Sequence, residues 1–216
     1  MEILSPAATL EGAAEHAVLL ELEVQRLREQ VARLQAERAT LRWAIEHDEL
    51  TGLANRRLFN AVAPSLLRQY QRCAVLVLDL NEFKPINDRY GHAVGDEVLC
   101  VVAQRMAACL GGDLTVRLGG DEFAAILTES SIGDLPDWHA RAASLARQIA
   151  EPMRLTGETL TVTASIGIAK GAGDATAAGE LLRRADHAMY HAKTGGRPYA
   201  MWDTHLPARP GPPHRS

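Results

Sequence analysis

Two periodicities divide this chain. Between residues 13 and 45, apolar positions recur at alternating spacings of four and three. Ala13, Leu20, Leu27, Leu34 and Leu41 share one seam position; Ala17, Val24, Val31, Arg38 and Ile45 share the other. A 3.5-residue repeat sustained beyond four heptads predicts a coiled coil, and Val at a with Leu at d favours two parallel strands. The flanking charges agree, since Glu23 can meet Arg28 of a second copy and Glu37 can meet Arg42. Arg38 at an a position is costly and reads as a register-setting residue. The polar b, c and f positions leave a lone helix little to bury, so a homodimer through residues 13–45 is expected.

After residue 46 the pattern changes. The stretch His47 to Arg57 ends the heptads and restarts a helix running to about Tyr70, with Gly52 and Asn55 as turn and capping types. Cys73–Leu80 is an apolar run of strand length ending around Asp79. Gly95–Leu110 has helical spacing. Two alternating runs, Leu114–Leu118 and Phe123–Leu127, flank Gly119-Gly120, which predicts a β-hairpin with its turn at the glycines. A helix near Asp137–Glu151, a strand over Leu160–Ala169 and a helix over Gly179–Lys193 complete the order. This is an α+β pattern with a mainly antiparallel sheet flanked by helices. The expected organisation is a disordered lead over 1–12, a coil over 13–46, a catalytic body over 47–202 and a disordered Pro-rich tail over 203–216.

Composition narrows the function classes. Apolar content of 47% and charged content of 23% are those of a globular chain with no membrane insertion, and a net charge of −4 provides no basic footprint for nucleic acid. The three cysteines, Cys73, Cys100 and Cys109, lack metal-ligand spacing and read as buried free thiols of a reducing, cytoplasmic compartment. Met1-Glu2 opens without the basic region of a secretory signal.

Chemistry gathers at two places. Acids directly after paired glycines, Asp121 and Glu122 after Gly119-Gly120, suit a divalent cation carrying phosphates. Asp79 at a strand end is a carboxylate that needs a partner, and with Asp121 it would make a two-carboxylate site for Mg²⁺. The polar stretch from Asn81 to Asp96 reads as a loop whose backbone N–H groups could cradle phosphates.

These residues carry a resemblance to the GGDEF family of diguanylate cyclases, covering residues from about 46 to 202. The motifs are Asp48-Glu49-Leu50-Thr51-Gly52-Leu53-Ala54-Asn55-Arg56-Arg57, Asp79-Leu80-Asn81-Glu82-Phe83-Lys84, Asn87-Asp88, Gly91-His92 and Gly95-Asp96. The signature Gly119-Gly120-Asp121-Glu122-Phe123 is intact, and Ser165-Ile166-Gly167, Ala185 to Lys193 and Gly196-Arg197 follow. The resemblance implies a palm-like domain that joins two GTP molecules into cyclic di-GMP with Mg²⁺ or Mn²⁺. It implies metal binding by Asp79, the Leu80 backbone carbonyl and Asp121, and catalysis by Asp121, in the position of the proposed general base, and Glu122. Asn87 and Asp96 match the guanine readers: a carboxylate can accept both N1–H and N2–H, and an amide can donate to O6. His92, the Phe83 backbone, Lys84, Lys193 and Arg197 fall at other substrate contacts, although Lys193 and Arg197 also suit ordinary helix C-capping.

The match departs from the family in one respect. Many members carry an Arg-x-x-Asp inhibitory site five residues before the signature, and here Leu110-Gly111-Gly112-Asp113 stands there. Leucine cannot make the guanidinium contact to phosphate or guanine, so little product inhibition through this route is expected. Regulation is expected instead through the coil and a sensor or regulatory protein that joins it. The competing readings are a catalytically lapsed GGDEF module sensing GTP or cyclic di-GMP, and a coiled-coil adaptor.

Overall fold

The structure is a computed structural model that describes residues 6–70, 72–129, 137–171 and 178–207, with backbone only for residues 6–15, 17 and 18. It divides into two compact units, residues 1–45 and 46–216. The first is one helix, α1 (Pro6–Glu46). Its start means that residues 6–12 are helical rather than a disordered lead, as their alanines and a first-position proline favour; residues 1–5 lie outside the described residues. The seam is bare in the single chain, with Leu20 54% and Leu34 56% exposed. The side chains of Ala13 and Ala17 lie outside the description. Glu37 bonds Arg33 within the helix at 2.9 Å.

The second unit is built around a six-stranded sheet of order β1-β3-β4-β2-β7-β8. Its strands are β1 (Ala54–Asn55), β2 (Cys73–Leu80), β3 (Leu114–Gly119), β4 (Glu122–Thr128), β7 (Ala164–Gly171) and β8 (Tyr199–Met201). The four inner strands pair antiparallel, and short parallel strands close both edges. A separate hairpin joins β5 (Met153–Leu155) and β6 (Glu158–Leu160). The helices are α2 (Arg56–Gln69), α3 (Phe83–Tyr90), α4 (His92–Cys109), α5 (Trp138–Ile149) and α6 (Ala178–Thr194).

Strand alternation divides the core into two layers. Leu76, Leu78, Leu80, Phe123 and Ile166 pack with α4 and α5, while Val75, Val77, Ala124 and Ile126 pack with α2 and α6. Because β2 is buried on both faces, it reads as a continuous apolar run.

The second unit departs from the sequence pattern in several places. The expected loop over Asn81–Asp96 is mostly helical, as α3 and the first turn of α4 meet at Gly91 (φ 84°). Phe83, Ile86 and Tyr90 give α3 one apolar face, and Pro85 falls in its first turn, where no intrahelical N–H is needed. The strand expected from Leu160 begins at Ala164, because Thr163 turns its backbone and hydroxyl to Asn81 instead. Residues 203–207, expected in the disordered tail, form a strap: Leu206 packs on Ala188, Ala192 and Ala200. The remainder of the tail, residues 208–216, lies outside the description. Finally, all three cysteines are free as expected, yet only Cys73 is fully buried.

The layers approach closely where α6 meets β7. A Cβ on Gly167 would lie 2.0 Å from the Ala185 carbonyl oxygen and 2.2 Å from the Met189 nitrogen. Both atoms are backbone, so no rotamer change relieves the clash. Gly167→Ala is expected to destabilise the domain by about 1–3 kcal/mol. Urea unfolding checks this: the midpoint should fall at an unchanged slope.

Candidate active site

The β2–β4 register sets Asp79 directly opposite Glu122, with Ser165 of β7 on the other side of Asp79. Opposed residues of antiparallel strands share a face, so these two carboxyls are neighbours. Asp121 adjoins Glu122 in the turn, and its carbonyl accepts the Leu80 N–H at 3.3 Å. The turn itself is shifted by one residue from the expected Gly119-Gly120 pair. Gly119 is the last residue of β3 after a bulge past Arg117, and Gly120-Asp121 are the two turn residues. Both glycines have positive φ, 140° and 56°, and a Cβ on either would meet nothing within 4 Å. The signature turn therefore leaves open space beside its backbone, as a closely approaching ligand needs.

The lead-in motif grips this turn. Arg117 Nε and Nη2 donate to the Gly120 carbonyl at 3.0 and 2.8 Å, and its Nη1 donates to Asp48 Oδ1 at 3.0 Å. Burial opposes the Asp48 charge, but hydrogen bonds from Thr51 and Arg117 outweigh it and hold the carboxyl below its ordinary value. Arg56 Nε reaches the Leu118 carbonyl at 3.4 Å, and its Nη2 lies 3.9 Å from Glu122. Asn55 caps α2 as expected, accepting the Leu58 N–H at 3.0 Å. The Asp48–Arg117 tie escapes sequence reading because 69 residues separate the partners; the only signal was two charges beside turn glycines.

From the opposite side α6 supplies Asp186 and Lys193. Lys193 Nζ donates to Asp79 Oδ1. Burial pushes the Glu122 carboxyl above its ordinary value; Asp79, Asp186 and Asp121 add to this, against Arg56. Asp186 was not singled out from the sequence, although it falls two helical turns before Lys193 on the same face.

Lys193 and Arg197 line a cavity of about 800 Å³ together with Asn81, Glu82, Arg147 and Ser165. Asn81 is fixed by accepting the Ser165 hydroxyl at 2.8 Å and donating to Thr163 Oγ1 at 3.0 Å. Glu82 holds a left-handed conformation at φ 55°, a strained state for a residue with a side chain, where β2 turns into α3. Asn87 and Asp96 come from adjoining helices: a Cβ on Gly95 would lie 1.9 Å from Asn87 Oδ1, and Asp96 is the next residue. Asp96, His92 and Lys84 are exposed, whereas the Phe83 side chain is buried at the start of α3.

The supposed inhibitory positions are occupied by the fold. Leu110 is buried in the core. The Asp113 carboxylate is fully buried, accepts the Thr128 N–H at 2.9 Å and forms an ion pair with Arg141.

Among the described residues no group of three His, Cys, Asp or Glu is arranged to hold a metal. The donor set around Asp79 still suits a hard divalent cation, because Glu122 is raised first by burial and then by the neighbouring carboxylates, against Arg56. Mg²⁺ takes one or two carboxylates and completes its shell with phosphate and water, which this set allows.

Residues 45–198 match the protein family described as "Diguanylate cyclase, GGDEF domain". The diguanylate cyclase TpbB of Pseudomonas aeruginosa is 41% identical over 172 residues, covering 77% of this chain and 39% of the relative. The diguanylate cyclase VdcA of Vibrio cholerae is 35% identical over 194 residues, covering 83% and 51%. The chain thus spans between 21% and 51% of the length of the curated relatives it matches. Among solved structures, the coiled coil and GGDEF domain of DgcB from Caulobacter crescentus, in complex with c-di-GMP, superposes with a TM-score of 0.72 at 26% identity, covering 84% of this chain and 98% of that one. The isolated GGDEF domain of TpbB (YfiN) gives a TM-score of 0.67 at 38% identity, covering 73% and 94%. The chain belongs to the GGDEF family of diguanylate cyclases.

Proposed function

We propose that this chain condenses two GTP molecules into cyclic di-GMP as a homodimer joined through residues 13–45. The observation that carries the reading is the convergence of Asp79, Asp121 and Glu122 at an open glycine turn, with Lys193 held against Asp79. Mg²⁺ or Mn²⁺, held by Asp79, Asp121 and the Leu80 carbonyl, would neutralise phosphate charge. Lys193 and Arg197, with Lys84 and the Phe83 backbone, bind the phosphates of GTP. Asn87 and Asp96 read guanine, and His92 lies on the substrate side.

The bond formed joins the 3′-oxygen of one GTP to the α-phosphorus of the other; the bond broken releases pyrophosphate. The 3′-hydroxyl proton needs an acceptor: Asp121 lies at the position of the family's proposed general base, and beside it stands the Glu122 carboxyl, held above its ordinary value by burial and then by Asp79, Asp186 and Asp121. Positioning and charge neutralisation carry most of phosphoryl transfer, which suits a site built from fixed cations and acids. Each domain supplies half of the centre, so the coil makes the encounter of two loaded domains effectively intramolecular. Asp113, buried against Arg141, leaves product no free carboxylate at the inhibitory position. The chain would act in the cytoplasm; no helix among the described residues is long and apolar enough to cross a membrane. The bare α1 seam is also where a sensor or regulatory protein would join.

Incubation of purified chain with GTP and Mg²⁺, followed by chromatography of the nucleotides, tests the activity itself. Asp79→Asn and Asp121→Asn are each expected to lower turnover at least about 100-fold while the far-ultraviolet circular dichroism is unchanged. Full turnover in either variant would remove that residue from the proposed centre.

Deleting residues 1–45 is expected to leave a folded monomer, since the body from residue 46 is a compact unit of its own. Its specific activity should fall steeply on dilution while the full chain's stays flat. Sedimentation and rate measurements across protein concentration check both; a truncated protein active at every dilution contradicts the role given to the coil.

The raised Glu122 carboxyl also sets a pH dependence. Between its ordinary value of 4.5 and its raised folded value, the folded state binds more protons than the unfolded state. This contribution to stability therefore falls as pH rises through that window. A bound cation works in the opposite sense, because it competes with those protons. Thermal unfolding with and without Mg²⁺ should show a stabilisation that grows from pH 4.5 toward neutrality. A Mg²⁺ effect independent of pH, or none at all, contradicts a cation site at these acids.

A further inference from the structure

α6 presents a second group of ligands, separate from the acidic cluster. His187 and His191 are four residues apart, which puts both rings on one helix face. Their Nε2 atoms are 3.2 Å from each other. The carbonyl oxygen of Pro207 lies 2.8 Å from each of these nitrogens. Three electronegative atoms thus form a small triangle.

Protons satisfy this triangle in one arrangement: both rings carry hydrogen on Nε2 and donate to the two lone pairs of the carbonyl, which sets two N–H dipoles side by side. If one ring instead accepts from the other through Nε2, its lone pair also faces the carbonyl lone pairs. A cation centred over the triangle suits all three atoms as donors at once. The two nitrogens fit, since a pair about 2.0–2.1 Å from a tetrahedral Zn²⁺ lies about 3.3–3.4 Å apart. The carbonyl, now at hydrogen-bond distance, would draw back by about half an ångström to become the third donor. Two imidazoles and a carbonyl select the borderline transition metals, Zn²⁺, Ni²⁺ or Cu²⁺, over Mg²⁺. His191 also lies in the last turn of α6, where the helix dipole favours a cation.

The third donor is held in place by the fold. Trp202 N–H bonds the Ile168 carbonyl at 2.7 Å, and Leu206 N–H bonds the Asp203 carbonyl at 3.1 Å. Leu206 packs against Ala188, Ala192 and Ala200, and Arg184 stacks over Trp202 at 4.3 Å. Edge contacts of His191 with His187 at 4.9 Å and with Tyr190 at 5.8 Å set the ring planes.

We propose that His187, His191 and the Pro207 carbonyl bind one transition-metal ion of the zinc class, fastening the strap over residues 202–207 to α6. The ion is distinct from the cation proposed for the Asp79 cluster, and the proposal stands whether or not the chain is a cyclase.

Calorimetric titration of the full, untagged chain with Zn²⁺, without nucleotide, is the test. One site in the micromolar range is expected. His187→Gln and His191→Gln, which keep a hydrogen-bonding side chain, should each weaken it at least about tenfold, and the double variant should lose it. Asp79→Asn should retain it, separating this site from the acidic cluster. Hydrogen exchange at the Trp202 and Leu206 amides should slow with Zn²⁺ in the natural chain and not in the double variant. Absence of Zn²⁺ binding at submillimolar concentration, or binding and protection that survive the double substitution, would overturn the proposal and leave a hydrogen-bonded histidine pair.

Discussion

The placement of Asp79 opposite Glu122 across β2 and β4 is the constraint on which the rest of the site depends. Two carboxylates on one face of a sheet repel each other, and the pairing persists because register is fixed elsewhere. Leu76, Leu78 and Phe123 fill one layer of the core while Val75, Val77 and Ala124 fill the other. A slip of one residue would exchange those faces along the whole of β2, so the apolar set holds the acids together against their own repulsion. The unfavourable contact is stored at the strand mouth, where Lys193 offsets part of it and a cation would offset more.

The same core explains how residues far apart in sequence reach the site. Gly167 lets α6 lie with its backbone against β7. That closeness brings Asp186 and Lys193 toward the strand carrying Asp79. On the other flank, Asp48 and Arg117 hold the turn by its backbone, leaving the Gly119 and Gly120 surfaces open. One tie positions a charge and the other positions an opening. Neither depends on the identity of the ligand, which is why both could form in the chain alone.

Much of this was legible in the sequence because strong periodicity reports burial. The β2 run, the paired strands around the signature and the helices α4, α5 and α6 all show it, as does the acid pair after the glycines. What could not be read was set by contacts across the chain. The helix α3 hides in a charged stretch, because only Phe83, Ile86 and Tyr90 face the core and three residues are too few to set a period. The strands β1 and β8 are two and three residues long and exist only through parallel pairing with β3 and β7. The turn shifted by one residue because a bulge after Arg117 absorbs a position that a regular hairpin would assign to the loop. Asp113, which the sequence places only in the degenerate inhibitory motif, is a buried ion-pair partner of Arg141, 28 positions away.

An exposed apolar helix precedes a compact body in this chain, and each has a shortfall the other can meet. Leu20, Leu27, Leu34 and Leu41 lie along one seam of α1, and each is at least half exposed. Leaving this many large apolar groups in water forgoes roughly 1.5 kcal/mol or more apiece that burial would return. A seam of that size is unfavourable in a monomer and favourable in a pair. The body would have the complementary shortfall, because one acidic centre with the proposed guanine readers would load one GTP while the proposed product needs two. Pairing through the helix would resolve both at once. Association driven by the seam would stabilise a dimer, and the same association would supply the second substrate at high effective concentration. Anything that alters seam register would then alter the meeting of the two sites without touching a catalytic residue. Arg38, the one charged seam position, is where such a change would meet the least resistance.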